Sequence, residues 1–230
     1  MRLSFIVAAA LLMTADLAQA QIPTSSAEFR TNTGSDARKR GAIELVRLTK
    51  CALQRREALG LNILTTRPGS ADQERMVDPF RRVMENCMND LVPGIYLGNS
   101  EVRGTIAGEI YLKTYPVQPD FAKLDHRAMP LPSGWVSGKI NAYERQQLIG
   151  QDFANCVIAA DPATVDAMLR TEVRSKDEAV QFRKLVPVLG PCLPKGVKLE
   201  MDVAWMRSVG AEALLRSIAL WQPKAVAGTA

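Results

Sequence analysis

The sequence predicts an all-α protein of two tandem four-helix repeats, and three observations predict it. A shift of 105 residues, which takes Cys51 to Cys156, also takes Cys87 to Cys192. The same shift places Leu64 on Leu169, Thr66 on Thr171, Ser70 on Ser175 and Asp72 on Asp177. Apolar residues in both units follow the three-and-four spacing of a helix with one buried face. Each unit is expected to close its own loop with a disulfide, Cys51–Cys87 and Cys156–Cys192, because the repeat selects that pairing from the three that four cysteines allow. A loop of this length stabilises by about 3–4 kcal/mol in the chain-entropy account. Redox or zinc chemistry is the lesser alternative, since the chain has no C-x-x-C and no two closely spaced cysteine pairs.

Disulfides imply an oxidising compartment, and the N-terminus agrees. Arg2, the apolar run Leu3–Leu12 and Ala18-Gln19-Ala20 read as a signal peptide over residues 1–20, with a retained anchor as the alternative. No cysteine follows the cleavage site, so a lipoprotein is not indicated, and no later stretch is long and apolar enough to span a bilayer. The expected location is periplasmic or secreted, with no stable membrane insertion after cleavage. Removing 20 of the 230 residues takes out Arg2 and Asp16 and leaves the net charge at +5. That charge suits anionic surfaces but does not by itself define a partner.

Residues 21–36 read as a disordered leader, rich in Thr and Ser. Repeat 1 spans 37–113 and repeat 2 spans 141–222. The first helix is expected over Ala37–Arg55, with Ile43, Leu48 and Cys51 on its buried face and Leu148, Phe153 and Cys156 as the copy. A short second helix follows, started in the copy by Asp161 and Pro162, with Met168 and Leu169 matching Ile63 and Leu64. The third helices open with capping boxes, Ser70-Ala71-Asp72-Gln73 and Ser175-Lys176-Asp177-Glu178. Their core stripes are Val77, Phe80, Met84, Cys87 and Phe182, Leu185, Leu189, Cys192, and Pro79 and Pro187 are expected to kink them. Extended segments at Gly94–Gly98 and Val197–Met201 could make a minor hairpin-like pairing. The fourth helices, capped by Ser100 and Asp202, carry Val102, Ile106, Ala107, Ile110 and, with a one-residue slip, Met206, Gly210, Ala211, Leu214. That slip sets Arg103 on Arg207. Gly104, Ala107 and Gly108 lower helix propensity, so close packing on a neighbour is the expected reason for them. Residues 114–140 form a proline-rich linker, anchored by Phe121 and Trp135, and 223–230 a flexible tail.

The pattern of Lys/Asn-Cys, a short helix, Leu-x-Thr-x-x-x-Ser, a helix ending in Cys, and a last helix with arginine among small residues resembles uncharacterised exported helical proteins of sphingomonad-type alphaproteobacteria. The resemblance is clearest over Asn155–Arg216 and weaker over Lys50–Lys113, and the first unit departs from it at Cys87-Met88-Asn89-Asp90. It implies an address and a fold, and no activity.

No catalytic residue is assigned. His126, the only histidine, lies in the linker beside Asp125 without a nucleophile or an orienting group, so His126→Ala is expected to leave activity intact. The chain has no G-x-S-x-G, H-E-x-x-H, P-loop or G-x-G-x-x-G. Glu101, Glu109 and Glu212 on the fourth helices read as solvated helix faces, though two of them would satisfy a glycosidase-like mechanism. Arg38-Lys39-Arg40, Arg55-Arg56 and Arg81-Arg82 could hold a polyanion, and the absence of interleaved aromatics argues against nucleic acid. No cofactor or metal is expected. The candidate polar site is the matched pair Arg103 and Arg207, each expected to hold a carboxylate of its own repeat, with ligand binding as the alternative, whereas Arg216 is expected to face water. The leading function is a non-catalytic cell-envelope binding or interaction module, with an unknown envelope protein or an anionic ligand as partner. A periplasmic hydrolase using carboxylates is the alternative, and a stress or metal-homeostasis accessory the third.

Overall fold

The computed structural model describes residues 28–30, 36–88, 99–121 and 130–221. The signal peptide, Gly94–Gly98, His126 and the tail lie outside them. So does the side chain of Ser100. The fold is all-α, with one disulfide in each half, Cys51–Cys87 and Cys156–Cys192, each closing a separation of 36 residues as the spacing predicts.

In the first half, α1 (Asp36–Thr65) runs through the positions expected for two helices, and its interior breaks at Arg56, where φ is −148° and ψ 59°. The second half breaks at the same place. There α5 (Ala142–Ala160) and α6 (Pro162–Leu169) meet at Asp161, 105 residues on, with φ −151° and ψ 72°. Asp161 makes two separate helices because its carboxylate accepts the Thr164 N–H at 3.0 Å, a cap that Arg56 has no acceptor to make.

Helices α2 (Ala71–Glu85) and α7 (Lys176–Cys192) are N-capped by Ser70 and Ser175, which accept the N–H groups of Gln73 and Glu178. The predicted return bond lands one residue earlier than in a regular capping box. The Gln73 side chain accepts the Gly69 N–H at 2.9 Å, and Glu178 accepts that of Arg174 at 2.6 Å. Both helices carry prolines in their interiors, Pro79 in α2 and Pro187 in α7. Their predicted stripes are buried: Val77, Phe80 and Met84 in one half, Phe182, Leu185 and Leu189 in the other. The first-helix face needs one correction. Leu148 and Phe153 are buried, but Ile43, the counterpart of Leu148, is exposed. Leu148 lies in α5, which packs along α8 (Val203–Trp221), and Ile43 sits near the open N-terminal end of α1.

Two further expectations change. Val197–Met201 does supply a strand, β2 (Glu200–Asp202), but its partner is β1 (Glu28–Arg30), inside the stretch read as a disordered leader. The pairing is parallel, with Phe29 opposite Met201, so it is not a hairpin. The linker holds a short helix, α4 (Ser133–Val136), whose Trp135 is buried as expected, and Phe121 is buried with it.

The halves join through their last helices. Helix α3 (Asn99–Thr114) packs on α8 more extensively than any other pair of elements. A Cβ on Gly104 would lie 2.3 Å from the Ser208 Cβ, so only a glycine permits this approach. Gly104 and Ser208 are counterparts under the slip that matches Arg103 with Arg207. Each half keeps its own apolar core, and Leu64 and Leu215 touch both. No helix among the described residues is long and apolar enough to cross a membrane.

Candidate functional site

The fourth helices bring Arg103 and Arg207 to matching places. Each guanidinium caps the end of the short helix in its own half. Arg103 Nη1 donates to Ile63 O at 2.7 Å and Nη2 to Leu64 O at 3.0 Å. Arg207 Nη1 donates to Met168 O at 2.8 Å and Nη2 to Leu169 O at 2.7 Å. These carbonyls belong to a last helical turn, and the forked donor reaches two of them together, sharing Ile63 O and Met168 O with the hydroxyls of Thr66 and Thr171 at 2.6 Å.

The carboxylates differ. Arg207 pairs with Glu178 of its own half at 2.9 Å, as expected. Arg103 does not follow the expectation. Its neighbour at the position of Glu178 is the neutral Gln73, at 3.4 Å, and its carboxylate is Glu212 of the other half. That pair is bidentate, Nε to Oε2 at 2.8 Å and Nη2 to Oε1 at 2.7 Å, and both side chains are almost fully buried. Gln151 Nε2 donates a third bond to Glu212 at 3.0 Å. The carboxylate thus accepts three hydrogen bonds, two of them from the guanidinium.

Glu212 is therefore no solvated helix residue. It stands 2 % exposed between buried Ala211 and Ala213. The sequence does hold a signal for this. A single acid inside Val209-Gly210-Ala211-Glu212-Ala213-Leu214-Leu215 sits on a helix that is apolar nearly all round, where a charge must be paired. Glu109 is also largely covered and pairs with Lys50 at 3.5 Å; burial raises its pKa against the pull of Lys50. Glu101 alone of the three is exposed.

Arg216 is the second correction. It is half-buried and donates from Nη2 to Gln151 Oε1 and Asn155 Oδ1, both at 3.0 Å. Its Nε and Nη1 are buried without a hydrogen bond. Burial lowers its pKa, Glu212 pulls it back up, and Arg103 lowers it further. Trp135 serves both cations: the guanidinium carbons of Arg216 and Arg103 stand 4.8 Å and 5.2 Å from its ring. The linker is fixed there by Trp135 Nε1 donating to Thr65 O at 3.3 Å and by Arg67 donating to Ser137 O at 2.9 Å. Arg216→Ala is accordingly expected to cost stability comparable to Arg207→Ala, not less.

Beside the Arg103–Glu212 pair lies a cavity of about 140 Å³, walled by both halves. Gln73, Glu101, Arg103 and Gly104 come from one side. Gln147, Gln151, Arg174, Asp202, Trp205, Ser208 and Glu212 come from the other. Asp202 caps α8, as predicted, by accepting the Trp205 N–H at 2.7 Å. Arg207 is not in the wall. Elsewhere, a buried cluster ties the halves structurally: Tyr111 OH donates to Asp166 at 2.5 Å, and Arg170 donates to both oxygens of Asp166. The predicted basic runs stay on the surface, where Arg55 donates to Asn86 O. No protein-family model, curated protein sequence or solved structure matches the chain.

Proposed function

We propose that the chain is an exported, non-catalytic binding module of the cell envelope and that it takes a small polar ligand in the cavity between its halves. The observation that carries this reading is the state of the cavity's carboxylates. Of the three carboxylates in the wall, Glu212 is saturated by Arg103 and Gln151 and Asp202 spends one oxygen capping a helix, which leaves Glu101 and the second oxygen of Asp202 toward a ligand and no fully free pair of carboxyl groups. A hydrolase needs one carboxyl group free to hold a proton and a second free to attack or to activate water. The wall instead presents fixed donors and acceptors around a small volume, the arrangement of a ligand site. The two disulfides support an oxidising compartment, and the A-x-A site after an apolar run supports export.

The test is a thermal-shift screen of the mature protein against small polar compounds, repeated on Ala204→Trp, which fills the cavity from its wall. Compounds that raise the Tm of the wild type and not of the variant support the reading. A screen without any such compound refutes it. Hydrolysis of generic ester or glycoside substrates that is lost in both Glu101→Gln and Asp202→Asn would establish the enzyme instead.

A further inference from the structure

Arg174 is the one non-glycine residue among those described with a positive φ, +57°. Its counterpart in the first half is Gly69, φ +78°. In both halves the same bond accompanies the conformation, from the backbone N–H to the Gln73 or Glu178 side chain. Glycine meets that demand without strain, and arginine does not. The surroundings also differ. Gly69 is covered by Tyr143 and Gln147, whereas Arg174 lines the cavity. Its Nε is buried and makes no hydrogen bond. The nearby Glu178 does not supply one, since its oxygens take the Arg174 backbone N–H and Arg207 Nη1. A strained residue that lines a cavity, with a guanidinium nitrogen left unpaired behind it, points to a ligand contact through that side chain.

The charges in the wall then restrict the ligand. Arg103 and Glu212 neutralise each other. What remains in the wall is the cation Arg174, which shares the Glu178 carboxylate with Arg207, together with the carboxylates of Glu101 and Asp202. A simple anion would be opposed by the two acids, and a simple cation by the arginine. A molecule carrying both charges satisfies both. The volume sets its size, because a cavity of this order holds about six non-hydrogen atoms, as a benzene-sized void does. On the reading of the cavity as a ligand site, we propose that the ligand is a small zwitterion of the α-amino-acid class, its carboxylate on Arg174 and its ammonium toward Asp202 and Glu101.

Isothermal titration of the mature protein with L-alanine tests this, alongside propionate, which lacks the ammonium, and isopropylamine, which lacks the carboxylate. Alanine is expected to bind, and each analogue roughly 10–100-fold more weakly, the loss that follows from one charge-assisted contact. Arg174→Gly should fold, because Gly69 already adopts this conformation, and its Tm should rise by roughly 2–4 °C as the strain is relieved. The same variant should lose alanine binding by roughly 10–100-fold. Unchanged affinity in Arg174→Gly overturns the arginine contact. Propionate or isopropylamine binding as tightly as alanine overturns the zwitterion. If alanine does not bind but another compound of the thermal-shift screen occupies the cavity, the zwitterion falls and the cavity reading stands. If nothing occupies the cavity, both fall.

Discussion

Removing Arg103 should be among the most damaging single substitutions in the protein. Arg103→Ala leaves Glu212 at 2 % exposure with Gln151 Nε2 as its remaining hydrogen-bond donor, and it takes the guanidinium from Leu64 O at the end of α1, while Ile63 O keeps the Thr66 hydroxyl at 2.6 Å. Breaking a buried pair by deleting one partner costs about 3–5 kcal/mol, because the other charge stays in a poor solvent. For a chain of this size 1 kcal/mol moves Tm by roughly 2–4 °C, so the drop should be roughly 6–20 °C. The penalty comes from the orphaned charge more than from lost attraction. The double variant Arg103→Met/Glu212→Leu should therefore recover most of it, short of about 1–3 kcal/mol for the donor lost at Leu64 O. Urea denaturation of both variants measures this, with Lys113→Ala as the reference. Lys113 pairs with Glu57 at 2.8 Å, but both side chains are well exposed, and such pairs are worth about 0–1 kcal/mol. If Arg103→Ala is as mild as Lys113→Ala, or if the double variant is worse than the single, the account of the inter-half ion pair is wrong.

Three further outcomes follow from the same contacts. Burial raises the pKa of Glu178 from 4.5 against the pull of Arg207, so its contribution to stability is fully present below about pH 4.5 and is lost as pH rises through the folded value. Glu178→Gln, which installs the residue found at position 73, should fold normally, and the wild type's stability advantage over it should shrink as pH rises; a growing advantage in melts at several pH values would reverse the sign. Gly104→Ala should destabilise by about 1–3 kcal/mol despite alanine's better helix propensity, since its methyl group collides with Ser208, and Ser208→Gly should restore little of the loss, because the Cα of residue 208 would still lie 2.5 Å from the new methyl. Non-reducing peptide mapping should find Cys51 with Cys87 and Cys156 with Cys192, and removing either bridge as a Cys→Ser pair should cost about 3–4 kcal/mol; a variant as stable as the wild type would show that the bridge constrains little.

The sequence alone determined much of what depends on neighbours a few residues apart, though not the exact return bonds of the caps at Ser70 and Ser175. Helix stripes such as Val77, Phe80 and Met84 and the caps at Ser70, Ser175 and Asp161 were legible because spacing along a helix fixes which side chains share a face, and the disulfide pairing was legible because the repeat carries both cysteines at one spacing. The slip that sets Arg103 on Arg207 also pointed to residues with one common task, capping a short helix. What Arg103 is paired with was decided only in three dimensions. Glu212 lies 109 residues away and reaches it because Gly104 lets α3 and α8 touch at Ser208. No periodicity encodes the angle and offset at which two helices cross, because these follow from the packing of both surfaces at once. The same crossing buries Glu212, brings Arg216 and Arg103 to Trp135, and closes a cavity that includes Arg174. In the sequence Arg174 is one more polar residue ahead of a capping serine. Only the fold reveals that it holds a glycine's conformation beside a cavity, because backbone strain and an unused buried donor are properties of the packed chain.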